Sequence, residues 1–248
     1  MKKVILGLIA LAITACAAAA KNQTESNSPR FKDPRDGKTY RTVEIGTQVW
    51  MAQDLDYHGE DGYLGLCFWD KPEIKRLHPD NCKDFGRLYN FEEAKSACPE
   101  GWRLPFIDEW ETLIDFAGGE EVAGKKLKAK KGWATFDFQM GREVRDCNSP
   151  FYGNKCKWTE EKIDDRGRRT VIEIDKCATD EFGFGALSSG NVYSYDSRTG
   201  VRKNTGLHGV GKWWSTSGIT VKMSCASLKV EKERGCDNCK VRCIKDDQ

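Results

Sequence analysis

The stretch ACPEGWRLPFIDEWETL, residues 97–113, places a cysteine, a Pro-x-Gly turn, two tryptophans and a second proline directly ahead of a helical pattern. After Pro105, residues Trp110, Leu113, Ile114 and Ala117 recur at i, i+3, i+4 and i+7, which is one face of an α-helix, and Gly118-Gly119 stops it. Upstream, Asn90 precedes FEEAKSA, with Glu93 three residues on, so a short capped helix is expected there. Pro99 cannot continue that helix, and Gly101 permits a sharp reversal. The stretch therefore reads as a structural corner between two helices. Cys98 is its staple, and Trp102 and Trp110 are the core it closes over.

Working outward toward the N-terminus, KTYRTVEIGTQVWMAQDL (38–55) carries Tyr40, Val43 and Ile45, then a turn at Gly46, then Val49 and Met51, the pattern of an opening hairpin. Toward the C-terminus the character changes beyond Trp133. The segments TVIEID, NVYSYD, KWWSTS, KMSCASLKV and CKVRCIK read as strands separated by Gly- and Asn-bearing turns. Helices early and strands late argue for an α+β fold with a mainly antiparallel sheet.

The chain opens MKKVILGLIALAITAC, two lysines followed by an apolar run that is short for a membrane span and ends in small residues, the pattern of an export signal. Ile13, Thr14 and Ala15 before Cys16 resemble the bacterial lipobox, which implies cleavage after Ala15 and acylation of Cys16. An ordinary secretory signal is the alternative. Residues 16–32 are small and polar without apolar periodicity, and are expected to be a flexible tether. Residues 33–248 show no linker-like break and are expected to form one domain. Ala17, not Asp, follows Cys16, which in two-membrane bacteria favours onward transport to the outer membrane.

Removing Lys2 and Lys3 with the signal takes the 40 basic residues to 38, against 38 acidic ones. A near-neutral chain without a basic stripe argues against nucleic acid as a partner. Eleven cysteines less Cys16 leave ten, an even number that in an exported chain reads as a disulfide framework of up to five bridges.

DGKTYRTVEIGTQVWMAQDL, CKDFGRLYNFEEAKSACPEGWRLPFIDEWETL, DEFGFGALSSG, KWWSTS and VRCIKDD occur in that order. With these motifs the chain, from about Asp36 to Asp246, resembles the Fibrobacter succinogenes major paralogous domain family, exported bacterial proteins that include many lipoproteins. The resemblance implies a C-type-lectin-like fold, two main helices packed on a small twisted, mainly antiparallel sheet with long loops, stabilised by disulfides. It implies Cys98 paired with Cys243 and Cys67 with Cys82. Cys147 and Cys156 lie in what looks like an insertion, where their short spacing favours a local bridge. Cys177, Cys225, Cys236 and Cys239 are then left to pair among themselves in an open order. Two departures bear on the loops: Ser188-Ser189 stands where a proline is usual, and Gln53-Asp54 replaces a usual Glu-Asn.

Chemistry is harder to place. Cys236-Asp-Asn-Cys239 fits a zinc knot or a redox CxxC, but export favours a disulfide, and the redox reading wants a helix N-terminus where the sequence has a turn between strands. GLHGVGK (206–212) matches the first part of a phosphate loop, yet Trp213 replaces the Mg²⁺-binding Ser or Thr and a strand follows in place of a helix. Lectin-like calcium sites use an acidic-Pro-amide triplet, whereas the last proline here is Pro150. Asp180, Glu181, Asn191, Asp196 and Asn204 offer hard oxygen ligands, or are solvated turn residues. The formylglycine-generating oxidases share the implied fold, and their site pattern is not evident. His58, His78 and His208 have no ligand spacing, and Glu173 and Asp175 share the wet face of a strand.

These readings leave no catalytic residue, cofactor or metal assigned. Trp50, Trp102, Trp110 and Trp214 are expected in the core, while Tyr193, Tyr195 and Trp213 are candidates for an exposed aromatic platform that stacks on sugar rings, with Asn191, Asp196 and Asn204 around it. The leading expectation is a lipid-anchored binding or adhesion module that recognises polysaccharide or glycoprotein without calcium through the 190–214 loops. The alternatives are a structural protein that binds other envelope proteins, and a cysteine-dependent oxidoreductase.

Overall fold

The computed structural model describes residues 28–67, 81–130, 133–137, 142–146, 157–175, 177–188, 194–196, 201–203, 209–225 and 227–246. Cys16 and the rest of the expected tether up to residue 27 lie outside them, while Arg30–Lys32 at the end of that stretch pair as a strand with Thr39–Arg41. Among the described residues no helix is long and apolar enough to cross a membrane.

The fold is α+β, with two sheets whose pairings are antiparallel apart from one parallel contact. The first sheet has five strands in the order β1 (Arg30–Lys32), β2 (Thr39–Ile45), β3 (Gln48–Met51), β17 (Ile244–Lys245) and β6 (Trp102–Arg103). The second has six, in the order β15 (Val230–Arg234), β14 (Ile219–Ser224), β13 (Val210–Trp214), β16 (Cys239–Lys240), β5 (Arg87–Tyr89) and β4 (Leu66–Cys67). The contact of Trp213 with Lys240 is the parallel one. Three separate hairpins complete the strands: β7 (Ala134–Asp137) with β8 (Arg142–Asp146), β9 (Lys157–Ile163) with β10 (Arg169–Asp175), and β11 (Ser194–Asp196) with β12 (Val201–Lys203).

The opening hairpin turns at Gly46, whose φ of 63° is the left-handed region that glycine enters without a Cβ penalty. CKVRCIK, read above as one strand, is two. Cys239–Lys240 serves the second sheet and Ile244–Lys245 the first, while Val241 and Cys243 between them accept backbone hydrogen bonds from Leu55 and Met51. KMSCASLKV is likewise divided, since β14 ends at Ser224 and the chain turns back into β15.

The described residues contain four helices where two main ones were expected: α1 (Asn81–Phe85), α2 (Phe91–Ala97), α3 (Ile107–Phe116) and α4 (Ala123–Leu127). α2 is held by a reciprocal cap, Asn90 Oδ1 accepting from Glu93 N and Glu93 Oε2 from Asn90 N. α3 buries Trp110, Leu113 and Ile114, the face that the sequence spacing marks. At the corner, Trp102 N donates to Pro99 O and Gly101 has φ 77°. Glu109 closes the far side, accepting from Phe106 N and from both terminal nitrogens of Arg103.

There are two cores, and consecutive residues on a strand feed opposite ones because side chains alternate across the pleat. Trp50 joins Trp110, Leu113, Ile114, Leu127, Trp133, Phe184, Trp213 and Met223, whereas Met51 joins Tyr40, Leu55, Tyr89, Ala97, Trp102, Trp214 and Val241. Trp213 and Trp214 divide in the same way. Cys98–Cys243 ties the end of α2 to the segment entering β17, across a separation of 145 residues, and Cys67–Cys82 ties β4 to α1.

Candidate functional site

Residues 189–208 are flanked by two described segments, Asp180–Ser188 before them and β13 after them. The outgoing segment, Asp180–Ser188, has no repeating hydrogen bonds of its own apart from a single bridge of Ala186 to Lys128, yet its carbonyls are claimed by buried donors. Phe184 O accepts from Arg242 Nη1 at 2.6 Å, Ala186 O from Trp133 Nε1 at 2.8 Å, and Leu187 O from Lys240 Nζ at 2.9 Å. Ala186 also exchanges backbone bonds with Leu127 and Ala129. Phe184, with no exposed surface, packs its ring edgewise on Trp50 and Trp110 at centroid distances of 5.7 and 6.0 Å. The turn that starts this segment is held by Asp180, in the left-handed region at φ 45°, whose Oδ1 accepts from Gly185 N at 2.8 Å.

The returning segment is β13, and it touches the outgoing one. A Cβ on Gly211 would lie 2.8 Å from Leu187 O, so only glycine lets the two backbones come this close. Both feet are thus fixed. Between them, among residues 189–208, the described part is the hairpin of β11 and β12, in which Tyr195 is paired with Arg202 and Asp196 with Val201.

Beneath the feet lies a fully buried ionic node. Asp54 Oδ1 accepts from Trp213 Nε1 and from Arg242 Nε, both at 2.7 Å, with Arg242 Nη2 2.6 Å away in the same ion pair, while Asp54 Oδ2 accepts from Lys240 Nζ at 2.7 Å. The side chains of Asp54 and Lys240 are 1% exposed and that of Arg242 is 0% exposed. Burial pushes the Asp54 carboxyl up, but the Arg242 and Lys240 charges outweigh it and hold the group below its ordinary value. Burial also pushes the Lys240 ammonium below its ordinary value, against the pull of Asp54. Two cations thus share one carboxylate, and the remaining donors of both go to the carbonyls of Met51, Phe184, Gly185 and Leu187. The node joins the end of the opening hairpin, the C-terminal segment, β13 and the loop feet in one contact.

Trp213 does not belong to an exposed platform. It has no exposed surface, its ring lies tilted 6.3 Å from that of Trp110, and its indole N–H is spent on Asp54, because both faces of β13 are covered by a core. Tyr195 and Asp196 lie on β11, while Tyr193, Asn191 and Asn204 lie outside the described residues. Of the other oxygen ligands weighed for calcium, Asp180 is engaged with Gly185, and Glu181 lies 3.7 Å from the Lys126 amine. Lys212 of the glycine-rich GLHGVGK stretch sits in a strand and pairs with Glu233, so no helix N-terminus faces that loop. His58 Nδ1 contacts Gly59 O, and His78 and His208 are outside the described residues. Among the described residues no group of three or more His, Cys, Asp or Glu is placed to hold a metal.

Cys236 and Cys239 are bridged to each other across a turn that leads into β16. Cys177 and Cys225 are also disulfide-bonded, and Cys147 and Cys156 lie outside the described residues.

The node itself was missed from sequence. Lys240 and Arg242 alternate with Cys239, Val241 and Cys243, a pattern that normally marks a wet strand face, and Asp54 is 186 residues from Lys240. The one signal was two cations at i and i+2 inside a segment fixed at both ends by cysteines.

No curated protein and no solved structure is significantly similar to this chain. The family model described as the Fibrobacter succinogenes major domain matches residues 43–245, which include the corner, the node, the loop feet, the first core and all the residues named above for the second core except Tyr40. The chain therefore belongs to the Fibrobacter succinogenes major domain family.

Proposed function

We propose that the protein is a non-catalytic binding module of the cell envelope, with a C-type-lectin-like fold, anchored through lipid on Cys16 at the outer membrane. It recognises a polysaccharide or glycoprotein without calcium, through the excursion between residues 189 and 209. The observation that carries this reading is the clamping of both feet of that excursion to the buried node. Variable loops mounted on a rigid base are where binding residues concentrate, because the base holds the geometry while the loop supplies the contacts. Tyr193 and Tyr195 supply the stacking faces, and Asn191, Asp196 and Asn204 the hydrogen bonds to hydroxyls.

The test is retention on a glycan array and on isolated envelope polysaccharide in the presence of a calcium chelator. Wild type is expected to be retained, and Tyr193→Ala or Tyr195→Ala to bind about tenfold more weakly, the loss of roughly 1.4 kcal/mol. No retained glycan, together with unchanged cell adhesion by the two variants, rejects the reading.

The structural alternative, a surface that binds another envelope protein, draws on Phe116. Its ring is 52% exposed and packs 5.4 Å from Phe182 at the end of α3. At the eight described cysteines the cysteine-dependent reading would require a bridge to open, since all eight are disulfide-bonded.

A further inference from the structure

We propose that Asp54 and Lys240 condense after folding into an intramolecular amide, making the node a covalent cross-link between the opening hairpin and the C-terminal segment.

The first ground is proximity. Lys240 Nζ lies 2.7 Å from Asp54 Oδ2, which puts the nitrogen about 3.5 Å from the carboxyl carbon, the separation of reactants held in a near-attack arrangement. Both side chains are 1% exposed and are held from several sides, so little freedom remains to be lost before reaction.

The second ground is that the two carboxyl oxygens are in different surroundings. Oδ1 receives two hydrogen-bond donors, Trp213 Nε1 and Arg242 Nε, both at 2.7 Å, and the charged Arg242 Nη2 lies 2.6 Å away. That set stabilises negative charge as it develops on Oδ1 in a tetrahedral intermediate, in a water-excluded setting where such donors count most. Among the described residues Oδ2 receives Lys240 and no other donor, so it is the oxygen that takes protons and leaves.

The step balances without a co-reactant. The Lys240 ammonium passes one proton to Oδ2 along their hydrogen bond, and the freed lone pair forms the N–C bond at Cγ. Charge collects on Oδ1, a second proton moves from the nitrogen to Oδ2, and the C–Oδ2 bond breaks to release water. One positive and one negative charge disappear together, so the charge of the node is unchanged, and the amide oxygen keeps its bonds to Trp213 and Arg242. Burial lowers the Lys240 ammonium and favours the first transfer, while the lowering of the Asp54 carboxyl, in which the neighbouring positive charges outweigh burial, opposes it.

The inference is independent of what the loop binds, and mass spectrometry of the mature protein decides it. After reduction and alkylation, the intact mass is expected to fall short of the sequence by one water. A tryptic digest is expected to contain one branched peptide joining the Asp54 and Lys240 segments, with no cleavage after Lys240. Lys240→Arg, which keeps the charge and cannot form the amide, is expected to have its full mass and to migrate more slowly than wild type on reducing denaturing gels. A wild type of full mass with Lys240 cleavable by trypsin overturns the proposal, as does a lost water that maps to any other residues.

Discussion

Asp180 is the only non-glycine residue with positive φ among the described residues, and it begins the segment whose carbonyls the node holds. Burial raises its carboxyl above the ordinary value, with the Gly185 N–H and the Arg41 and Arg242 charges pulling the other way. A carboxyl raised in the folded state opposes folding when it is charged. Stability should therefore increase as pH falls through the raised value and level off below the ordinary carboxyl value near 3.8. Asp180→Asn, which tolerates the left-handed region and keeps the acceptor for Gly185, is expected to fold normally and lose this pH dependence. Asp180→Ala leaves the Gly185 N–H without its acceptor and should cost about 1–3 kcal/mol. Thermal melting of the three proteins between neutral pH and about pH 3 checks both expectations; a wild type and an Asn variant that respond identically to pH would contradict the first. At this scale the sequence was informative about apolar residues and much less so about charged ones. Trp50, Trp102, Trp110 and Trp214 were legible as core because nothing else buries so much apolar area. Asp54, Lys240 and Arg242 were not, because burial of a charge is decided by partners far away in the chain.

At the scale of elements, legibility followed local chemistry. The α2 cap, the apolar face of α3 and the Gly46 turn are each written within a few residues, and each is present in the structure. Asn90→Ala removes one half of the α2 cap and is expected to cost about 1 kcal/mol, read from the denaturant midpoint. The strand divisions were not legible. CKVRCIK alternates without a break, and what splits it is its transfer from one sheet to the other, a property of the whole topology. The bridges should differ in value for the same topological reason. Cys98–Cys243 closes a loop of 145 residues and Cys236–Cys239 one of only 3, and the entropy lost by the unfolded chain grows with loop length. Cys98→Ser is expected to destabilise by roughly 2–5 kcal/mol, and Cys236→Ser by clearly less. Equal melting temperatures for Cys98→Ser and wild type would contradict this account of the corner.

For the molecule as a whole, the C-terminal segment is the common member. Residues 239–245 contribute to both sheets, two disulfides, both loop feet and the node. None of those contacts involves residues 191–204, so they are expected to survive replacement of that stretch. The α+β class could be read from the order of helices and strands and the family from ordered motifs, but the contacts among residues near 54, 185, 213 and 242 could not. The most direct measurement replaces residues 191–204 with a short Gly-Ser linker and compares melting and glycan retention with wild type. The account predicts a cooperative melt close to that of wild type and loss of retention on the polysaccharide the wild type binds. A variant that fails to fold would contradict the clamped base, and one that folds and binds as well as wild type would contradict the placement of recognition in the loop.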